Sequence, residues 1–248
     1  MSGHNRWAKV KHVKAKQDKI KGKLFTKAIK ELTMSAKNGG GDPALNASLR
    51  VAIQKAKEVN MPQDTIKKAI QRGTGELPGV SYEELTYEGY GPGGCAIIID
   101  VLTDNKNKAV AEIRYLFDRN GGKMAEAGAV SYMFKKRACF TVSKEKATED
   151  SLMSIVLDAG AEDIKDVGDV FEITGETSAF EAIKAALDNA KIETESAEIT
   201  KLPDTYVTLN KNDAEKMIKL EEVLEEYDDV QDVYSNYDID EATAAAMA

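Results

Sequence analysis

The chain has 248 residues, 42% of them hydrophobic and 31% charged, with a formal net charge of −8. That is room for one to three globular domains and too much apolar content for a disordered tail protein. No apolar run approaches the roughly 18 residues a membrane-spanning helix needs, and the basic N-terminus has no apolar segment behind it, so the secretory layout is missing. The two cysteines, Cys95 and Cys139, form neither a disulfide framework nor a Cys-x-x-Cys pair, which fits a reducing cytoplasm.

The net charge conceals an asymmetry. Residues 1–72 hold 17 Lys and Arg against 5 Asp and Glu, a net of +12, whereas residues 73–248 hold 17 against 37, a net of −20. Ten cations fall in the first 30 residues (Arg6, Lys9, Lys11, Lys14, Lys16, Lys19, Lys21, Lys23, Lys27 and Lys30), with Asp18 the one acid among them. The pattern reads as a basic arm on an acidic body; the alternative is a solvated lysine-rich end that serves only solubility.

In chain order, Leu24, Phe25, Ala28, Ile29, Leu32 and Ala36 recur at helical spacing and Gly39-Gly40-Gly41 stops the helix. Asp42 as N-cap and Pro43 at the first helical position predict a second helix with Leu45, Leu49, Ala52, Ile53, Ala56 and Val59 on its apolar stripe. A third helix is expected from Pro62, with Ile66, Ala69 and Ile70 facing inward. Turn formers from Thr74 to Ser81 mark a boundary, after which the period becomes strand-like. Cys95–Thr103, Ala129–Phe134, Thr205–Leu209 and Val230–Tyr237 read as strands, with helices at Lys106–Arg119 and Asp213–Tyr227. Between them, residues 137–200 repeat the order: Ala138–Val142, helix 148–159, Asp163–Val167, Val170–Thr174, helix 178–190, Ile192–Ile199. The expected fold is a multidomain α+β protein: an N-terminal three-helix domain with a basic arm (1–78), then two ferredoxin-like βαββαβ domains. One (79–135 with 203–240) holds the other (136–202) as an insertion, and 241–248 form a loose tail.

No catalytic constellation emerges. Gly89, Gly91 and Gly94 spell G-x-G-x-x-G, but a dinucleotide site needs that run to follow a strand and open a helix; here Ala96-Ile97-Ile98-Ile99 comes next, so the run reads as a hairpin loop. Both histidines, His4 and His12, lie in the arm, and both cysteines lie in strand patterns that suit a small buried hydrophobe. Glu221, Glu222, Glu225, Glu226, Asp228 and Asp229 read as the solvated face of a helix rather than a divalent-ion cluster. The expectation is a non-enzyme with no catalytic residue, no metal and no cofactor.

Six to eight arm cations on phosphates would give affinity that falls steeply with salt, with a logarithmic slope of roughly −0.9 per phosphate on duplex DNA. Specificity needs stacking or base-edge contacts, for which the arm offers Trp7, His4 and His12 as rings and Arg6 as a fork-shaped donor; Trp7 suits a base-stacker and a hydrophobic anchor equally. Arg50 and Arg72 either extend the footprint or pair with Asp42 and Asp64. The candidate nucleic-acid-binding set is therefore Arg6, Trp7, Lys9, Lys11, His12, Lys14, Lys16, Lys19, Lys21, Lys23, Lys27, Lys30, Arg50 and Arg72.

Blocks along nearly the whole chain carry a resemblance. Ser2-Gly3-His4-Asn5-Arg6-Trp7, Val10-Lys11-His12, Gly22-Lys23-Leu24-Phe25-Thr26-Lys27, Gly39-Gly40-Gly41-Asp42-Pro43, Asn60-Met61-Pro62 and Arg72-Gly73-Thr74-Gly75-Glu76 are similar to the YebC family of probable transcriptional regulators. Tyr87 to Gly94 and Gly128 to Phe134 resemble the same family. The resemblance implies a helical N-terminal domain, two α+β domains, and a cytoplasmic, non-enzymatic protein that binds nucleic acid. It implies DNA and the transcription machinery as partners for most members, and ribosomal RNA or the ribosome for others, including a mitochondrial activator of translation of a cytochrome c oxidase subunit. Asn5 stands where Ser is usual, and Lys21, Lys106 and Lys108 where Arg is common; lysine keeps the charge but loses the bidentate fork.

Overall fold

The structure is a computed structural model that describes residues 17–247, with the side chains of 23–240 and 242–247. Helix α1 (Gln17–Gly39) starts earlier than the apolar pattern suggests and takes Lys19 and Lys21 into its first turns. Helices α2 (Ala47–Glu58) and α3 (Gln63–Gly73) pack against it, and Ala28, Leu32, Ala36, Leu49, Ala56 and Ile66 share one core. The α1–α3 contact is close because residue 73 is glycine: a Cβ there would lie 2.3 Å from the Thr33 carbonyl oxygen.

The second helix does not begin at Asp42. Asn46 takes the N-cap, accepting from the Leu49 N–H at 3.0 Å, while its amide donates to the carbonyls of Ser35 and Gly40 at 2.8 Å each. Asp42 and Pro43 instead shape the turn before it, and Leu45, expected on the apolar stripe, is 86% exposed.

A first antiparallel sheet has the order β3-β1-β2-β9, built from β1 (Glu83–Tyr90), β2 (Ala96–Thr103), β3 (Lys123–Ala125) and β9 (Val230–Ser235). Helices α4 (Lys106–Arg119) and α7 (Lys211–Glu225) cover one face, where Ile97, Ile99, Ile113, Phe117, Met217 and Leu220 meet. The second antiparallel sheet has the order β5-β6-β4-β7: β4 (Phe134–Ser143), β5 (Ala161–Val167), β6 (Val170–Gly175) and β7 (Ser196–Pro203). With α5 (Glu149–Val156) between β4 and β5 and α6 (Phe180–Asn189) between β6 and β7, it is a ferredoxin-like βαββαβ unit over a core of Phe140, Leu152, Ile173, Ile183 and Leu187. In the first sheet the central slot beside β2 goes to β1, which enters from the N-terminal side. Strand β8 (Val207–Thr208) pairs only with β10 (Tyr237–Asp238), parallel and outside the four-stranded sheet.

The strand expected at Ala129–Phe134 is absent. Glu88, 6% exposed on β1, accepts hydrogen bonds from the N–H groups of Gly128 (2.7 Å), Val130 (2.7 Å) and Ser131 (2.9 Å), so those donors are unavailable to a ladder. The clamped loop lays Val130 and Phe134 over Ala96 and Ile98, which explains why β2 is buried on both faces. The tail is likewise ordered: α8 (Glu241–Met247) starts where Asp240 caps the Thr243 N–H at 2.7 Å, and Met247 packs on the first core.

Burial pushes the Glu88 carboxyl up, but the three backbone donors outweigh it and hold it below its ordinary value. A depressed folded-state pKa means the clamp contributes fully above about pH 4.3, the unfolded value, and is lost as pH falls through the folded one. Glu88→Ala should leave three N–H groups unpaired and lower unfolding stability by about 3 kcal/mol, measured by urea denaturation; Glu88→Gln should lose less and flatten the acid dependence.

Candidate nucleic-acid interface

Lys23, Lys27 and Lys30 recur at i, i+4 and i+7 on α1, one face of a 3.6-residue helix. That face does not look outward. Lys23 Nζ donates to the Glu226 carbonyl at 2.8 Å, and Lys27 Nζ to the carbonyls of Glu225 at 3.1 Å and Gln231 at 3.5 Å. Lys30, 6% exposed, donates to the carbonyls of Asp228 (3.0 Å) and Leu102 (3.3 Å) and forms an ion pair with Asp229. Apart from Leu102 on β2 and Gln231 on β9, the carbonyl acceptors belong to the C-terminal end of α7 and the turn after it, where the helix dipole adds partial negative charge. Three residues of the candidate set are thus occupied in joining the helical unit to the acidic unit.

Asp229 is the centre of the joint. Besides Lys30 it accepts from Thr103 Oγ1 at 2.9 Å and Tyr227 Oη at 3.1 Å. Burial pushes its carboxyl up, and the bonds from Lys30, Thr103 and Tyr227 more than reverse this and hold it below the usual carboxylate range. Lys27 is lowered, first by burial, with Asp232 and Glu225 partly offsetting. The acidic segment is therefore not simply a solvated face. Glu221 within it is buried and accepts from Ser235 Oγ at 2.5 Å and Tyr237 Oη at 2.8 Å.

Arg50 pairs with neither Asp42 nor Asp64; its guanidinium folds onto the carbonyls of Pro43 at 2.8 Å and Ala44 at 3.2 Å. Arg72 is exposed, and no hydrogen bond or ion pair to its guanidinium is present among the described residues. On the same helix Lys67 and Lys68 face solvent, Lys68 one turn before Arg72, and α3 has one acid, Asp64, in its first turn. Lys67 and Lys68 were not in the candidate set. Their signal was present, since they lie off the Ile66, Ala69 and Ile70 stripe. Arg6, Trp7, Lys9, Lys11, His12, Lys14 and Lys16 lie outside the described residues, as do the side chains of Lys19 and Lys21.

The glycine run is a packing device. Gly91–Gly94 joins β1 to β2 in an antiparallel hairpin with Tyr90 opposite Ala96. A Cβ on Gly91 would meet Met217 Sδ at 2.5 Å, and Gly93 has φ +72° with Leu209 2.2 Å from its Cβ position. Cys95 and Cys139 are buried, and burial, helped by Glu221 and Asp213, pushes the Cys95 thiol up to about 12. Among the described residues no group of three or more His, Cys, Asp or Glu is placed to hold a metal ion, and no helix is long and apolar enough to cross a membrane.

Three helices fastened by lysines to the first of two antiparallel α+β units, the second nested in the connections of the first, define a charge-segregated three-unit scaffold. The chain belongs to the TACO1/YebC family: residues 5–76 match the TACO1/YebC protein N-terminal domain and residues 82–237 the TACO1/YebC second and third domain. It is 51% identical to a probable transcriptional regulatory protein of Desulfatibacillum aliphaticivorans, over 96% of this chain and 97% of that protein. A protein of the same description from Treponema pallidum is 50% identical over 96% and 98%. The crystal structure of a conserved hypothetical protein from Aquifex aeolicus superposes with a TM-score of 0.82 at 39% identity, covering 92% of this chain and 94% of that one.

Lys30→Ala should strip the half-buried Asp229 carboxylate of its partner and cost about 2 kcal/mol, read as a lower unfolding midpoint and faster proteolysis in residues 76–82. Lys67→Ala, on the open face, should stay within about 0.5 kcal/mol of the parent.

Proposed function

We propose that the chain is a non-catalytic regulator of gene expression that holds nucleic acid through its basic N-terminal end and the open face of α3, and acts in the cytoplasm. The observation that carries this reading is the division of the cations. Lys23, Lys27, Lys30 and Lys37 of α1 secure the joint, whereas Lys67, Lys68 and Arg72 of α3 are left unpaired among the described residues, and the sequence of the leading segment adds seven more basic or aromatic candidates. The acidic units then set where a polyanion can lie, because like charge repels it from the body. The relatives' description as probable transcriptional regulatory proteins supports duplex DNA as the target and the transcription machinery as partner.

A second reading, recognition of structured RNA on the ribosome, has its own support. The Arg50 fork is spent on its own loop, so the open face offers mainly lysines, which contact phosphates without reading base edges. Shape and backbone recognition of that kind is common for folded RNA.

Binding of labelled duplex DNA and of ribosomal RNA by the full chain, each across a salt series and against bulk competitor, tests the proposal. We expect steep salt dependence, and loss of binding with intact folding when Lys9, Lys11, Lys14 and Lys16 are replaced by Glu; salt-insensitive or undiminished binding refutes it. Preference for a promoter over bulk DNA marks the first reading, and preference for ribosomal RNA the second. Trp7→Ala weakening binding by about 1–3 kcal/mol with stability unchanged marks a stacking ring; a lowered thermal midpoint marks an anchor.

A further inference from the structure

Between the end of α3 and the segment leading to β1 lies a cleft of about 340 Å³. Lys37, Arg72, Gly75, Gly79, Ser81 and Tyr82 are among its walls, and no Asp or Glu lines it. Among the described residues Lys37 Nζ donates to neutral acceptors, Ser81 Oγ at 3.1 Å and the Tyr82 carbonyl at 3.2 Å. Arg72 has no partner for its guanidinium among the described residues, and Glu76, the nearest acid in sequence, is turned toward Thr74 (3.0 Å) and Gln71 (3.5 Å). In a chain of net −8, two cations therefore share one cleft whose walls, among the described residues, carry no acid.

The helix dipoles do not account for both. Lys37 and Arg72 sit in the last turns of α1 and α3, and each helix end is equivalent to about half a negative charge. Together those ends offset about one of the two positive charges. The remaining excess stands beside a preset stem: a Cβ on Gly79 would lie 3.1–3.3 Å from Cβ, Cγ and Cδ of Arg72, so the bare backbone at 79 gives the arginine stem its place. A planar fork on α3, an ammonium on α1 and the Ser81 hydroxyl bonded to that ammonium, all at one cleft, suit a group with several anionic oxygens around one centre.

We propose that this cleft is a binding site for a single phosphate group. It spans the covalent link between the helical unit and the first sheet, so an occupant touches both. The phosphate is either a backbone phosphodiester of bound nucleic acid, in which case the site rests on the function proposed above, or a free phosphate or phosphomonoester.

The test uses the full chain and the variants Arg72→Gln, Lys37→Gln and Gly79→Ala, each checked by circular dichroism for the parent fold. One arm measures the thermal midpoint with rising inorganic phosphate at constant ionic strength. The other measures the slope of log affinity against log salt for a DNA or RNA duplex. A backbone phosphodiester predicts that Arg72→Gln lowers the slope by about one, with Gly79→Ala shifting it the same way. A free phosphate predicts a rise in midpoint that Arg72→Gln and Lys37→Gln abolish, with the duplex slope unchanged. If folded Arg72→Gln and Lys37→Gln proteins match the parent in both arms, the cleft is not a phosphate site. Absence of duplex binding by the parent defeats the function proposed above, while the phosphate arm still decides the cleft.

Discussion

The bond between Lys30 and Asp229 is the contact on which the arrangement of the molecule depends. An ammonium and a carboxylate withdrawn from water are costly unless each is fully satisfied, and here both are. Lys30 also reaches two backbone carbonyls, and Asp229 also receives two hydroxyls. The hydrogen-bond directions leave few alternative ways to seat α1 on the end of α7. Lys23 and Lys27 extend the joint toward solvent, and Lys37 closes its far end against Ser81 and Tyr82.

The two α+β units are joined on the same principle. Lys201 of β7 spans to both carboxylate oxygens of Asp100 on β2, at 2.6 and 2.7 Å, and lies over the Tyr234 ring. Each unit has its own apolar core, so the polar joints add orientation rather than bulk stability. The scaffold thus spends a share of its lysines internally. Among the described residues the cations left open are a smaller set than composition suggests, and Lys67, Lys68 and Arg72 of α3 are among them.

Much of the architecture was legible because hydrophobic periodicity reports burial directly. The stripes of α1, α3, α4 and α7 and the repeated order of 137–200 follow from residues that must leave water. The misplacements share a cause. Local propensity favours a helix start at Asp42 and a strand at Ala129, and in both places a hydrogen bond that propensity does not report decides the outcome: Asn46 bonding back to Ser35, and Glu88 collecting three N–H groups some forty residues away. A side chain that satisfies several backbone groups outweighs a propensity difference of a few tenths of a kcal/mol.

Charge is where sequence and structure part company. The sequence alone determined that positive charge gathers in residues 1–72 and negative charge in the rest, because counting needs no coordinates. Which lysines are free and which are committed was decided by the tertiary structure. Lys23, Lys27 and Lys30 look no different in sequence from Lys67 and Lys68; only the folded chain brings the end of α7, some two hundred residues away, against the first three and leaves the others in water. An electrostatic interaction depends on separation and burial, and neither is written in the order of the residues.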